Sequence, residues 1–125
     1  KSAEMAAKSA YKMAGISPEK IQVAEVHECY AHQELMLYEA LGLCKEGEAT
    51  KFLKEGHSRR DGKLPVNPSG GVLCGNIIYG SGLARLMEAS LQVSGRAGDV
   101  QIKGAKTAIS HSAGGFAMQA NIVYV

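Results

Sequence analysis

Two short stretches hold the residue types that could do chemistry: His27-Glu28-Cys29-Tyr30, and Gly75-Asn76 with Tyr79 just beyond. A cysteine offers a nucleophile or an acid–base group, a histidine a proton donor or acceptor, a tyrosine a phenol. Asparagine can donate a hydrogen bond but is no base near neutral pH. The second group lies within Asn67 to Gly82, NPSGGVLCGNIIYGSG, which is dense in glycine and runs straight into an amphipathic helical pattern. Glycine is used where backbone takes positive φ or comes close to another group. A glycine loop feeding a helix N-terminus also aims free N–H groups and a positive dipole end at one point. That is a place for a developing oxyanion or a phosphate; the alternative is an ordinary glycine-rich turn. A Walker-type phosphate loop does not fit, because the lysine it needs is missing.

The rest of the chain bounds what those residues can serve. With 125 residues, 46% apolar and 21% charged, it fits one folded domain, residues 1–125. A net charge of +2 is too small to argue for nucleic acid, and no basic run with interleaved aromatics is present. The densest basic segment, Lys54 to Lys63, reads as a solvated loop or as a docking patch for an anionic group such as a nucleotide phosphate. Three cysteines at irregular spacing suggest reduced thiols and a cytoplasmic setting. His27-x-Cys29-x-x-His32 has a metal-like spacing without an obvious fourth ligand, so no metal is expected. No apolar run reaches the roughly 20 residues of a membrane span, and no signal peptide is visible. The sequence opens at Lys1, without methionine and already in a helical pattern, which suggests a fragment or a processed piece.

The elements that must position the two stretches follow from periodicity and punctuation. Ser2 to Ala14 reads as a helix with Met5, Ala6, Ala10 and Met13 near one face, and Gly15 as its stop. Ser17-Pro18-Glu19 starts a short turn. Ile21 to Val26 is rich in β-formers and predicts a strand, with His27 to Tyr30 at its end. A helix from about Ala31 to Leu41 follows, its apolar face Leu35, Leu37, Tyr38 and Leu41. Gly47 to Glu55 is a short helix, and Gly56 to Lys63 a polar loop. Beyond the glycine-rich loop, Ser81 to Val93 places Leu83, Leu86, Met87 and Leu91 at helical spacing. Strands at Lys106 to Ser110 and Phe116 to Val125 are expected on either side of a His111-Ser112-Ala113-Gly114-Gly115 connection. This order implies a layered α/β fold with helices covering a mixed sheet.

Three blocks in this order resemble the C-terminal half of thiolase-superfamily enzymes, above all the nonspecific lipid-transfer (sterol-carrier-protein-X) type. VAEVHECYAHQELMLYEALGLCKEGE is similar to that family's His-Asp-Cys-Phe block and its helix. PVNPSGGVLCGNIIYGSGLARLMEASLQVSG is similar to its Asn-Pro-Ser-Gly-Gly to Gly-His-Pro block, and AKTAISHSAGGFAMQANIVYV to its closing β-hairpin. The resemblance implies a five-stranded mixed sheet under helices, one strand of which, at the middle of the sheet, is missing from this chain. It implies an N-terminal half that carries the acyl-accepting cysteine, a homo-oligomer, and a coenzyme A thioester as substrate with no covalently bound cofactor.

The same resemblance implies roles for individual residues. Cys29 stands where the lipid-transfer branch has its acid–base cysteine; taken alone it could equally be a structural thiol. His27 falls where the family has an oxyanion donor, and Glu28 where an acid orients the block. Gly75, Gly114 and Gly115 fall on the family's oxyanion and substrate loops. His111 and Ser112 stand where other thiolases carry a Cys-x-Gly cysteine. The departure is Asn76, where the family's Gly-His-Pro histidine acts as a base, in a loop one residue shorter than usual. Losing that base should cost roughly 10²–10⁴-fold in a step needing proton transfer. Tyr30 and Tyr79 replace Phe and Gly of the usual pattern, and either pack or supply phenols. Three readings stay open: a thiolase-like acyltransferase; a retro-aldolase like the thiolase-like enzymes of steroid side chains, which work with an OB-fold acyl-CoA-binding partner; and a non-catalytic thiolase-fold subunit.

Overall fold

A computed structural model of the chain describes residues 1–114 and 117–124. Among the described residues there are five α-helices: α1 (Ser2–Ala14), α2 (Ala31–Ala40), α3 (Ala49–Lys54), α4 (Gly71–Cys74) and α5 (Ser81–Val93). Three strands, β1 (Val23–Glu25), β2 (Thr107–Gly114) and β3 (Ala117–Tyr124), form one sheet in the order β1-β2-β3. β1 runs parallel to β2, with Val23 opposite Ala108, and β2 runs antiparallel to β3. On the other side of β1, Val66 makes a single parallel bridge to Ala24, marking a fourth strand position. The sheet is therefore mixed and helix-covered, as the layered α/β reading requires. Among the described residues, β1 pairs directly with β2.

Alternation along β1 divides the core into two layers. Ala24 and Val26 face α1 and α2, where Ala7, Tyr11, Leu37, Tyr38 and Leu41 close over them with Ile109. Val23 faces the other way, onto Ala89 and Val93 of α5 with Ala108. Period-2 side chains on a strand buried on both faces give this split. The Tyr11 hydroxyl donates to the Leu41 carbonyl at 2.8 Å inside the first layer, tying α1 to the end of α2. Tyr11→Phe leaves that carbonyl buried and unpaired, so a loss of about 1–2 kcal/mol is expected. A lower urea midpoint at unchanged slope checks it.

Three expectations are corrected. His111 to Gly114 do not connect two strands; they continue β2, paired to Ala120 through Ala117 across the hairpin. On α1 the core face is Ala3, Ala7, Ala10 and Tyr11, while Met5 and Met13 lie in solvent. On α5 the buried stripe is Ser81, Arg85, Ala89 and Val93, and Leu83 and Met87 are exposed. The reason is distance. A side chain at Gly82 would bring its Cβ to 2.5 Å from the Ser112 Cβ, so the first turn of α5 rides close on β2, which turns Leu83 outward. The one-turn α4 inside the glycine loop was not foreseen. Among the described residues no helix is long and apolar enough to cross a membrane.

Candidate active site

The end of β1 is where the chain leaves the core with polar residues still attached to it. Glu25 is fully buried on the α5 side, where its Oε2 accepts from Arg85 Nη1 at 2.8 Å and from Ser69 Oγ at 2.6 Å. Its Oε1 accepts from the Ser69 N–H at 3.2 Å. Burial pushes the Glu25 carboxyl above its ordinary range, and the Ser69 and Arg85 contacts pull it back. Three residues on, Glu28 is also buried. Its Oε2 accepts from Asn67 Nδ2 at 2.7 Å and its Oε1 from the Leu73 N–H at 3.1 Å. Two acids of one strand end thus hold the loop from Asn67 to Leu73. Backbone conformation allows the fit: Asn67 sits at φ +50° and Gly71 at φ +65°. A Cβ at Gly71 would lie 2.1 Å from Glu28 Oε1, so only glycine can pass there.

Beyond this anchored loop, residues 75–80 swing over the sheet and enter α5. A cavity of about 350 Å³ opens beneath them, lined by His27 from the β1 end, by Asn76, Ile78, Tyr79, Ser81 and Gly82, and by Ala113 and Gly114 of β2. His27 is half-buried, and its Nδ1 accepts from the Ala113 N–H at 3.2 Å. Burial pushes its pKa below the ordinary value, with the charge of Arg85 acting the same way and that of Glu28 against it. The ring is therefore neutral at pH 7. With Nδ1 accepting, the proton sits on Nε2 and makes that atom a donor. Asn76 Oδ1 lies 2.8 Å from Ser81 Oγ, for which the Ile77 carbonyl competes at the same distance. With its oxygen held by Ser81, the amide offers Nδ2 as its free donor.

Tyr79 is the unusual member. It is not a glycine, yet its backbone stands at φ +67°. A bulky residue in the left-handed region carries strain, and such strain gathers at functional sites. Its ring is fully exposed and lines both this cavity and an adjoining groove formed with Leu83, Leu86 and Asn121. Ordinary packing does not account for that placement.

His27, Asn76, Tyr79 and Gly114 thus meet at one cavity. Cys29, Tyr30 and Gly75 do not line it. Cys29 is an exposed free thiol whose backbone N–H donates to Gln33 Oε1 at 2.9 Å. Tyr30 precedes α2 with its ring stacked on His32 at 5.7 Å, and Gly75 is extended backbone. Gly115 lies outside the described residues. Among the described residues no group of three or more metal-binding side chains gathers. Sequence reasoning missed the Glu25–Ser69–Arg85 cluster and the Asn67 contact. The available signal was an acid, Glu25, inside a largely apolar strand, a second acid, Glu28, just past its end, and an arginine on the small-residue stripe of α5.

Known proteins share this architecture. Sterol carrier protein 2 of Homo sapiens is 41% identical over 110 residues, covering 87% of this chain and 20% of its own. The acetyl-CoA acetyltransferase of Methanothermobacter thermautotrophicus is 38% identical over 111 residues, 88% of this chain and 29% of its own. The solved structure of an Ltp2-ChsH2(DUF35) aldolase superposes with a TM-score of 0.88 at 25% identity, over 98% of this chain and 31% of that one. The chain thus spans between a fifth and a third of the length of these relatives. The family model for thiolase C-terminal domain-like proteins matches residues 1–125, and with it this chain belongs to that family.

Proposed function

We propose that this chain is the C-terminal part of a thiolase-superfamily enzyme that makes or breaks a carbon–carbon bond beside a coenzyme A thioester, and that its reaction is retro-aldol cleavage of a β-hydroxyacyl-CoA. The observation that carries this reading is Tyr79, held in a left-handed conformation at the cavity shared by His27 and Asn76. Thiolysis needs a base to activate its cysteine, and asparagine at position 76 cannot serve. Retro-aldol cleavage needs no acyl-enzyme. A base takes the β-hydroxyl proton, the Cα–Cβ bond breaks, and its electron pair moves to the thioester oxygen as an enolate. The carbonyl product leaves and Cα is protonated to give the shorter acyl-CoA. His27 Nε2–H and Asn76 Nδ2 are the donors for the enolate oxygen, and the Tyr79 phenol relays the β-hydroxyl proton.

Other parts of the enzyme follow from the same reading. The upstream thiolase half completes the site, within a homo-oligomer. The solved aldolase relative joins Ltp2 to ChsH2(DUF35) by name, which supports an OB-fold acyl-CoA-binding protein as partner here. A second reading, acyl transfer, is favoured by the exposed thiol of Cys29 and by the acetyl-CoA acetyltransferase relative. The full-length protein given a β-hydroxyacyl-CoA, and separately a 3-ketoacyl-CoA with free coenzyme A, decides between them. Tyr79→Phe is expected to lower retro-aldol kcat by about 10²-fold, and Cys29→Ala to leave it within a few-fold. Thiolysis abolished by Cys29→Ala and indifferent to Tyr79→Phe would establish acyl transfer instead.

A further inference from the structure

We infer that Glu28 is a positioning residue whose buried carboxylate fixes the loop bearing Asn76 against the strand end bearing His27, and so sets the spacing of the two donors across the cavity. The inference rests on that cavity being the reaction site. Glu28 is 1% exposed and sits between His27 and Cys29 in the chain. Both carboxylate oxygens are used, one on Asn67 Nδ2 at 2.7 Å and one on the Leu73 N–H at 3.1 Å. Asn67 in turn accepts from the Val26 N–H at 2.7 Å through Oδ1, and its own N–H donates to the Ala24 carbonyl at 2.8 Å. The loop is therefore tied to β1 at both ends of a short cycle, with Gly71 pressed against the carboxylate in between. Asn76 follows only three residues after Leu73. Among the described residues, the Leu73 contact is the last side-chain hydrogen bond from the strand end to this loop before Asn76 and its Ser81 bond.

The hydrogen-bond polarity of this cycle makes a specific test. Glu28→Gln keeps the shape and still accepts from the Leu73 N–H, but sets an NH2 group against that of Asn67, leaving two donors face to face. Adding Asn67→Asp restores an acceptor: one oxygen keeps the Val26 N–H and the other takes the new Gln amide. Aspartate also tolerates the positive φ at this position. In the full-length protein, E28Q is expected to lower kcat by about 10²-fold with KM within two-fold, since misplacing donors by about 1 Å costs that much. Hydrogen exchange of the amides from Leu73 to Tyr79 should speed up by about tenfold, as expected for one lost hydrogen bond. The E28Q/N67D swap should return both quantities to within a few-fold of wild type. Unchanged exchange and kcat in folded E28Q, or a folded swap that recovers neither, overturns the inference. A wild-type protein that cleaves neither probe would sink the functional reading alone, because exchange still decides whether Glu28 holds the loop.

Discussion

Arg85→Met is expected to destabilise the fold by about 3–5 kcal/mol, the range seen when one partner of a buried ion pair is removed. Arg85 and Glu25 are 5% and 0% exposed and 2.8 Å apart, so neither charge can turn to water for compensation. Methionine fills the space of the arginine stem but leaves the Glu25 carboxylate with only the Ser69 contacts. Burial already raises the Glu25 carboxyl; without Arg85 the rise is larger. The sign then follows. A carboxyl whose folded pKa lies above its unfolded value is most stabilising when protonated, and that contribution is lost as pH rises through the folded pKa. R85M should therefore be weakest relative to wild type at neutral pH and recover as pH falls toward the usual carboxylate range. Adding Glu25→Gln removes the charge while keeping an acceptor for the Ser69 N–H, and should restore part of the loss at neutral pH. Urea midpoints of the three proteins across pH check this. A pH-independent deficit in R85M would mean that lost packing, not a stranded charge, sets the cost.

Much of the architecture was legible because local signals agreed with tertiary context. The strand at β1 announced itself by its β-formers, α2 and α5 by periodicity, and the end of α1 by Gly15. What failed did so where close approach overruled hydrophobicity. Leu83 and Met87 have the right spacing for a core face, yet the stripe on the sheet is Ser81, Arg85, Ala89 and Val93. Leu83 and Leu86 instead line a groove with Tyr79, next to the cavity that Ile78 and Tyr79 border. His111 to Gly114 carry turn-like residues, but eight cross-strand pairs from Thr107 to Gly114 outweigh their local preference. His27, Asn76 and Tyr79 line one cavity, in keeping with the resemblance, which puts both blocks at one site. That Cys29 stands outside the cavity was not legible, since it depends on how the chain turns between Glu28 and the first turn of α2. Nor could the left-handed backbone at Tyr79 be read from a residue type with no preference for it.

Acid is the second condition expected to expose a large hidden cost. His111 lies on β2 and is 1% exposed, and among the described residues neither ring nitrogen has a hydrogen-bond partner. Burial, helped by the charge of nearby His27, pushes its pKa from an ordinary 6.5 down to about 4. The folded protein therefore binds this proton less readily than the unfolded chain. Stability from the neutral ring is complete above about pH 6.5 and is lost as pH falls through about 4. The span corresponds to about 3–4 kcal/mol at roughly 1.4 kcal/mol per pKa unit. His27, lowered by the same cause, adds to the acid sensitivity. Glu25 and Glu34, whose carboxyls burial raises, act in the opposite sense over an overlapping range, so total stability does not isolate the histidine. The difference between wild type and His111→Phe does. Phenylalanine keeps a planar ring and removes both unpaired nitrogens, so H111F should match or exceed wild type near neutrality and gain on it steadily between pH 6.5 and 4. Parallel stability curves for the two proteins over that interval would show that His111 protonates in the folded state as easily as in water, and that the ring nitrogens reach a partner when charged.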